Sequence, residues 1–383
     1  MEDKCVILIN IFKEALYMVK KITIIGGGNG AFAVAGDLTL AGYEITLYED
    51  ERFKENIEEL LKTQTITLTG VGKTGEAKIH KVTMDLQEAL LEADLIMPVV
   101  PAYALKNFAE KIAPYIKRGD KIVLTPGSTG GALIVSKVLN EKGKLDEVKI
   151  AEMHTLPYAC RKTGPTSVNI LLECGKLYFA AFPAKYNQEM YDIVKEFYPA
   201  VELVNDVLET ALNNGNPVSH PAPVVLNAGK IEYYKGEHYH YKEGITPSVA
   251  RVNEKIDIER QEICKKFGYK IVDAKDRLFL MGYVPKRETL YECYRDSKVF
   301  SPLKGPKDLN DRYLTEDTPC SLVALSSIAD IVGVETPVMD SVITLASALK
   351  DENYWKTGNT VESLGLSGMN AEEIKDFLQE GYK

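Results

Sequence analysis

The sequence has little of the basic charge or the long apolar runs that mark nucleic-acid-binding and membrane-spanning proteins. Its 383 residues contain 46 Lys and Arg against 55 Asp and Glu, a formal net charge of −9. No basic run interrupts this acidic balance, so we expect no nucleic-acid partner and no association with an anionic membrane surface. No window reaches about 18 uninterrupted apolar residues, so we expect no transmembrane helix.

Cysteine is scarce and scattered. The six cysteines are Cys5, Cys160, Cys174, Cys264, Cys293 and Cys320. They form neither a Cys-x-x-Cys pair nor a Cys/His cluster with zinc spacing, so we expect no metal site. In a chain of this length they are typical of reduced thiols in a reducing compartment and not of a disulfide framework. The cytoplasm is therefore the expected location.

The rest of the composition is that of a globular protein, with 45% apolar and 26% charged residues. Up to about residue 205, short β-rich runs alternate with helical patterns, which predicts a doubly wound parallel α/β sheet. Beyond that point helix-like stretches follow one another. We predict an α/β domain over 18–205 and an all-α domain over 206–383, with 1–17 as an N-terminal extension.

A glycine-rich loop joins the first predicted strand to a helical stretch and fits the pattern G-x-G-x-x-A. In a dinucleotide site the first glycine permits a tight turn, the second lets the backbone approach a pyrophosphate, and the last small residue packs the helix against the strand. The strand and helix supply the context that the pattern needs. We therefore predict a Rossmann-type cofactor site, with an unliganded turn as the alternative. Its residues are Gly26, Gly28, Asn29, Gly30 and Ala31.

Two further features bear on the cofactor. Glu49 ends the second predicted strand, where a carboxylate accepts hydrogen bonds from ribose hydroxyls and repels a 2′-phosphate. NAD(H) is therefore the preferred cofactor, while Arg52 keeps NADP(H) possible. Pro101 follows a predicted buried strand, and the loop 125–131 follows the next one, at the edge where open α/β sheets bind ligands. Ordinary turns are the alternative for both loops.

Histidine is the usual proton donor or acceptor in hydride-transfer chemistry, and the chain has five. His220 is the favoured candidate, because it lies in a polar, proline-rich stretch just past the predicted domain boundary, and domain interfaces are where small-molecule sites form. A histidine satisfied by the backbone of a turn is the structural alternative. His154 is the second candidate. His238 and His240 alternate with tyrosines and are expected to be exposed.

Arg312 and Asp317 precede an apolar helical stretch. The planar guanidinium of Arg312 is suited to a substrate carboxylate, and Asp317 could orient a catalytic imidazole. Each also has an ordinary structural interpretation. Asp317 could cap the following helix, and Arg312 could pair with Asp308 or Asp311 at the surface. From these residues alone, the structural interpretations are favoured.

Taken together, the motifs resemble the octopine/nopaline, or opine, dehydrogenase family. The resemblance covers residues 20 to 350 or so, and the combination of Asn-x-x-x-His-Pro with Arg-Tyr-Leu-x-Glu-Asp is its most specific part. The segments that carry it are Gly26 to Ala31, Thr155 to Arg161, Asn216 to Pro221, Leu226 to Gly229, Glu243 to Val249 and Arg312 to Asp317.

The resemblance implies a Rossmann domain followed by an all-helical domain. It also implies the reductive condensation of an amino acid with a 2-oxo acid, by NADH or NADPH, to a secondary-amine dicarboxylate. It makes His220 the catalytic histidine, Asp317 its carboxylate partner and Arg312 a substrate-binding residue. It leaves open which amino acid and which oxo acid are used.

Two other functions stay open on the sequence. One is another two-domain dehydrogenase, acting on a 2-hydroxy acid, a ketopantoate-like substrate or a sugar phosphate. The other is an NADH-binding sensor without turnover. A homodimer is possible because two-fold homo-oligomers are common. The tyrosines of the second half, Tyr233, Tyr234, Tyr239 and Tyr241, are expected to serve packing or an oligomer face.

Overall fold

The fold begins with two β-sheets in the first half of the chain. A computed structural model describes residues 19–382, so the extension predicted for 1–17 lies outside the described residues. In chain order the strands are β1 (Lys21–Ile25), β2 (Glu44–Tyr48), β3 (Thr65–Gly70), β4 (Gly75–Lys78), β5 (Lys81–Thr83), β6 (Leu95–Pro98), β7 (Asp120–Leu124), β8 (Val148–Met153), β9 (Tyr158–Gly164), β10 (Ser167–Glu173), β11 (Leu177–Phe182) and β12 (Val201–Leu203).

The main sheet has eight strands in the order β12-β11-β8-β7-β6-β1-β2-β5. The strands from β8 to β5 are parallel, and Ile22 in β1 pairs with Ile45 on one side and Leu95 on the other. β11 runs antiparallel to β8, and β12 runs parallel to β11. The predicted doubly wound α/β sheet is confirmed, and its chain order reverses beside β1, where such sheets bind ligands.

A smaller sheet of four strands, in the order β4-β3-β10-β9, covers the helix that follows β1. The helices of this first half lie between the strands. They are α1 (Asn29–Leu40), α2 (Glu58–Thr63), α3 (Leu86–Leu90), α4 (Leu105–Ile112), α5 (Gly131–Glu141) and α6 (Asn187–Phe197).

The described chain from Val207 onward contains helices and loops but no named strand, as predicted. The helices are α7 (Val207–Leu212), α8 (Asn216–Ser219), α9 (Pro221–Leu226), α10 (Ala228–Tyr234), α11 (Pro247–Phe267), α12 (Ala274–Leu280), α13 (Leu290–Asp296), α14 (Arg312–Thr315), α15 (Val323–Ile331), α16 (Pro337–Lys350), α17 (Tyr354–Thr357) and α18 (Ala371–Glu380). Two π-helical turns, His240–Gly244 and Thr318–Leu322, interrupt the series.

The proline-rich stretch around His220 folds into consecutive short helices. Pro217 and Pro221 lie in the first turns of α8 and α9. Proline is tolerated there because the first amides of a helix have no intrahelical acceptor. His220 stands between the two helices, where the backbone changes direction. The prolines thus set the position of this histidine at the joint between them.

Two apolar cores hold the molecule together. One lies between the main sheet and the smaller sheet and includes Phe32 and Ile66. The other continues from the opposite side of the main sheet, at Leu133, into the helical half, at Ile256. Since the second core has no break between sheet and helices, the two halves are packed against each other along their junction.

Two kinds of feature are absent from the described residues. Among residues 19–382, no helix has the length and apolar character needed to cross a membrane. Within the same span, no group of three or more His, Cys, Asp or Glu is arranged to hold a metal ion. The five cysteines that the structure describes are buried and free.

Candidate active site

The glycine loop leaves β1 and turns into α1. Gly26 has a φ of +120°, and a Cβ on it would lie 2.7 Å from the carbonyl oxygen of Val99. Gly28 is different, because a Cβ there would meet nothing within 4 Å. A Cβ on Gly30 would lie 3.0 Å from the side chains of Leu156 and Val99. The loop therefore needs Gly26 for its turn, while Gly28 faces open space in front of the first turn of α1.

The other two residues predicted in the loop serve its attachment. The side-chain oxygen of Asn29 accepts a hydrogen bond of 2.7 Å from the amide of Lys162 in β9. Ala31 is fully buried. Both residues hold the start of α1 against its neighbours, so that the first amides of the helix have a fixed direction.

Glu49 lies at the end of β2 and is 8% exposed. Its carboxylate accepts hydrogen bonds from the amide of Asp50 at 2.9 Å and from the side chain of Asn56 at 3.1 Å. Burial raises its pKa. The Arg52 guanidinium pairs with Asp50 at 2.8 Å. The Glu49 carboxylate is thus held in place by two hydrogen bonds, and the Arg52 cation already has a partner.

The loop at Pro101 joins the two halves of the molecule. The amide of Ala102, directly after Pro101, donates a 2.8 Å hydrogen bond to the buried carboxylate of Glu316. The same carboxylate contacts the Arg312 guanidinium, at 3.4 Å. The loop 125–131 also contacts the helical half, because the side-chain amide of Asn214 donates a 3.2 Å hydrogen bond to Thr129 Oγ1. The edge predicted to hold the cofactor therefore faces the helical half.

His220 and Asp317 are brought together at this junction although 97 residues separate them in the chain. His220 Nδ1 and Asp317 Oδ2 are 2.7 Å apart, and both side chains are buried. In its ionised form Asp317 only accepts hydrogen bonds, and it then holds the proton of the imidazole on Nδ1 and leaves a lone pair on Nε2. Burial lowers the pKa of His220 and raises the pKa of Asp317 to about 7, so burial favours the neutral form of each group.

The structural alternatives for Asp317 and Arg312 are not what the structure shows. The Asp317 side chain makes no cap hydrogen bond to the turn that follows it. Arg312 pairs with Glu316 and not with Asp308 or Asp311. Asp311 instead caps α14, by accepting from the amide of Tyr313. Asp317 is thus free to serve His220, and the guanidinium of Arg312 stays exposed beside the pair.

Two tyrosines complete the surroundings of His220. The Tyr241 hydroxyl lies 2.9 Å from His220 Nε2. The Tyr313 ring stacks on the imidazole, with centroids 3.9 Å apart and an angle of 18° between the planes. The sequence assigned Tyr241 to packing or an oligomer face. Its only sequence signal was proximity to His240 in an aromatic, polar stretch, which does not indicate a contact with His220.

The expectation that His238 and His240 are exposed is wrong, since each is 2% exposed. The segment around Leu303 covers them: His240 donates its amide to the carbonyl of Leu303 at 3.1 Å, and Gly305 donates to the carbonyl of His238 at 2.7 Å. The polar, tyrosine-rich composition gave no sign of a segment some 65 residues away that pairs with it.

The remaining candidate, His154, has a structural role. It is 1% exposed, and its Nδ1 accepts a 3.0 Å hydrogen bond from the amide of Tyr178 in β11. Burial lowers its pKa to about 3. His154 thus ties β8 to β11 and makes no hydrogen bond to His220 or Asp317.

The residues at the carboxyl edge of the sheet fit a dinucleotide. A side chain at Gly28 would project into the space in front of α1, which is the space a pyrophosphate needs for close approach to the backbone. Glu49 and Pro101 lie on either side of this loop in the sheet order. The loop at Pro101 is joined to the helical half beside Asp317, through the hydrogen bond from Ala102 to Glu316.

Two protein-family models match parts of the chain. The model described as "NAD/NADP octopine/nopaline dehydrogenase, alpha-helical domain" matches residues 203–350. The model described as "NAD-dependent glycerol-3-phosphate dehydrogenase N-terminus" matches residues 21–153. An opine dehydrogenase of Arthrobacter sp. (strain 1C) is 36% identical over 360 residues, covering 94% of this chain and 99% of that protein. The chain belongs to the opine dehydrogenase family.

Solved structures share its fold. An octopine dehydrogenase with NADH and L-arginine has a TM-score of 0.75 at 22% identity, covering 95% of this chain and 98% of that one. A yersinopine dehydrogenase with NADP⁺ has a TM-score of 0.69 at 17% identity, covering 94% and 98%. The chain is thus an NAD(P)-dependent oxidoreductase of the opine dehydrogenase type, which acts on CH–NH bonds and condenses an amino acid with a 2-oxo acid.

Proposed function

We propose that His220 is the proton-transfer residue of this reductive condensation, that Asp317 orients it, and that Arg312 binds a substrate carboxylate. The observation that carries the proposal is the buried 2.7 Å contact between His220 Nδ1 and Asp317 Oδ2, next to Glu316, which binds the loop at Pro101. A base held in one tautomer, with the lone pair on its other nitrogen, is suited to the proton transfer that an imine reduction requires.

The chemistry follows from these positions. The amino group of one substrate attacks the carbonyl of the 2-oxo acid, and loss of water gives an imine. Bound NADH supplies the hydride that reduces the imine carbon. In this direction His220 first takes a proton from the ammonium form of the amino substrate, which frees its nitrogen for the attack, and returns that proton to the reacting nitrogen as the hydride arrives. In the oxidative direction the same transfers run in reverse. Asp317 stabilises the imidazolium formed on the way.

The proposed role of Arg312 is to fix the position of the substrate. Its guanidinium stays exposed at the junction, and Glu316 anchors it without covering it. A planar cation in this place binds a carboxylate in two contacts and so fixes the reacting carbon. Because Glu316 also accepts from the amide of Ala102, the same carboxylate ties the substrate-binding residue to the loop at Pro101.

We further propose that NADH is preferred over NADPH. The support is the buried carboxylate of Glu49 at the end of β2, next to Gly27, where it would face the adenosine ribose and repel a 2′-phosphate. The residues proposed to hold the dinucleotide are Gly26, Gly28, Asn29, Gly30, Ala31, Glu49 and Pro101.

Three coarser features belong to the same proposal. The domains divide at 205/206, between the last strand, Val201–Leu203, and the first helix of the helical half, Val207–Leu212. A cytoplasmic location is supported by the buried free thiols. A homodimer is supported by exposed Tyr233 and Tyr234 on α10. Light scattering of the purified protein tests the last, and a monomeric mass would contradict it.

The deciding experiment is NADH oxidation by the purified protein, followed at the nicotinamide absorbance, with NADPH in parallel. Pyruvate and pools of amino acids are supplied together and singly. The expected result is oxidation only when an amino acid and an oxo acid are both present. Oxidation with pyruvate alone would instead show a 2-hydroxy acid dehydrogenase. NADH binding without oxidation under any pool of amino acids and oxo acids would contradict the proposal.

A further inference from the structure

Both ring nitrogens of His220 already have a partner. Nδ1 lies 2.7 Å from Asp317 Oδ2, and Nε2 lies 2.9 Å from the hydroxyl of Tyr241. The nitrogen that must exchange a proton with the substrate is therefore the one that Tyr241 contacts. The tyrosine is 3% exposed, so this contact is made away from bulk water.

A phenol hydroxyl is both a donor and an acceptor. Toward a neutral imidazole it donates its proton to the lone pair on Nε2. Toward an imidazolium it turns and accepts from Nε2–H. A carboxylate could serve only the second state and a lysine only the first. In a buried site, where an unmet hydrogen bond is costly, a hydroxyl suits a residue that must change its protonation state.

We propose that Tyr241 is a positioning residue that partners His220 Nε2, in either protonation state of the ring, until the substrate nitrogen takes that single hydrogen-bonding position for the proton exchange. The proposal rests on the function proposed for His220. Tyr241 acts through the histidine and fixes the direction of Nε2 before the substrate nitrogen meets it.

The fold holds Tyr241 firmly. The residue lies in the π-helical turn His240–Gly244, which widens the backbone and turns this side chain inward. Its ring stacks on Phe300, with centroids 4.5 Å apart, and on Tyr294, with centroids 5.5 Å apart. The hydroxyl is thus placed by rigid packing and not by the histidine alone.

The strength of the contact differs between the two states. A hydrogen bond from an imidazolium is charge-assisted and about twice as strong as one between neutral groups. Removal of the hydroxyl therefore destabilises the charged ring more than the neutral ring and lowers the proton affinity of His220. The other charged or titratable groups that act on the ring stay in place: Asp317, Tyr313, His240, Arg312, Asp311 and Arg161.

The test is Tyr241→Phe, with Tyr294→Phe as the matched control. Tyr294 is equally buried and stacks on Tyr241, but its hydroxyl contacts Ser219 Oγ, at 2.5 Å, and not the histidine. The readout is the pH dependence of kcat/KM for the 2-oxo acid, at saturating NADH and amino acid. Substrate ionisations are the same for all variants, and the position of a pH limb is independent of how much of a preparation is folded.

In Tyr241→Phe the alkaline limb should move to lower pH by about one unit, with activity partly restored as the pH falls. In Tyr294→Phe the limb should stay where it is in the unchanged protein. No movement in Tyr241→Phe, or equal movement in both variants, would overturn the role of Tyr241 while leaving His220 as the proton-transfer residue. Full activity of His220→Ala would instead overturn the proposed function, and the role of Tyr241 with it.

Discussion

At the scale of single residues, the site is built from groups whose chemistry is complementary. One imidazole lies between an acceptor on Nδ1, Asp317, and a group that can both donate and accept on Nε2, Tyr241. Tyr313 covers one face of the ring. The tautomer and the direction of the lone pair are therefore set before a substrate arrives, which reduces the reorganisation that proton transfer requires.

Replacement of His220 by alanine should lower kcat by at least about 100-fold, because a positioned general acid or base contributes at least that much. NADH affinity, measured by fluorescence titration, should be unchanged, since the side chain belongs to the helical half. Asp317→Asn, which keeps the shape but favours the wrong tautomer, should also lose most activity. Turnover equal to that of the unchanged protein would exclude the role given to His220.

Replacement of Glu49 by alanine should raise the ratio of kcat/KM with NADPH to that with NADH by about tenfold. Removal of a carboxylate near the 2′-position relieves a repulsion of about 1 kcal/mol or more, and it also removes an acceptor for the ribose hydroxyls. Arg52→Ala in the same background is the control, because it tests whether Arg52 leaves Asp50 to bind the phosphate. An unchanged ratio in Glu49→Ala would contradict the ribose assignment.

At the scale of elements, the strand–loop–helix unit at the start of the sheet separates two uses of glycine. Gly26 is required by the backbone itself, through its positive φ and the nearby carbonyl of Val99. A Cβ on Gly28 would meet nothing within 4 Å, so the packing of the protein alone does not require a glycine there. A glycine that the free protein does not need is explained if a ligand approaches the backbone at that place.

Gly28→Ala should therefore weaken NADH binding, whereas Gly26→Ala should lower the stability of the fold. Gly28→Ala should keep its melting temperature but bind NADH at least about tenfold more weakly, because its methyl group occupies the space of the pyrophosphate. Gly26→Ala should be destabilised by roughly 1–3 kcal/mol through backbone strain. Thermal unfolding and NADH titration of both variants make the comparison. Normal NADH affinity in Gly28→Ala would argue against a pyrophosphate at this loop.

At the scale of the whole molecule, the two halves meet through buried polar contacts. Glu152, at the end of β8, is fully buried and accepts a 2.7 Å hydrogen bond from the amide of Ala132. It also contacts the hydroxyl of Thr210 in the helical half, and that hydroxyl donates to the carbonyl of Val207 at 2.8 Å. The Thr210 hydroxyl has one proton, which it donates to the carbonyl of Val207. A protonated Glu152 can donate its own proton to the Thr210 oxygen, so both contacts are satisfied at once.

Burial raises the pKa of Glu152 to about 7 from an ordinary value of 4.5. The folded state therefore binds this proton more tightly than the unfolded state, and the group lowers stability as the pH rises from about 4.5 to 7. The loss is of the order of 3 kcal/mol above pH 7. Glu152→Gln imitates the protonated form, so it should melt higher than the unchanged protein at pH 8 and close to it at pH 5. A difference in melting temperature that is the same at both pH values would contradict this.

Much of the fold and part of the site follow from local patterns. Short β-rich runs alternating with helices are readable because each element needs only its own periodicity and end signals. The glycine loop can be predicted from the sequence because its three small residues all belong to one local turn. The buried position of His240 was not readable, since it depends on the covering segment at Leu303, whose partner is not encoded in local composition. The short helices around His220 were hidden by prolines, which indicate turns as readily as helix starts.

The sequence by itself predicted the class of the protein, the order of its two halves and the cofactor loop, because residue type and spacing carry this chemistry. The roles proposed for Asp317 and Arg312 came from the resemblance of its motifs to the opine dehydrogenases. Only the tertiary structure decided which groups touch. It brought Asp317 to His220 across 97 residues, Glu316 to Ala102 across 214, and Tyr241 to the second nitrogen of the ring. Contacts of that range are set by how whole elements pack, and packing depends on side chains from several parts of the chain at once.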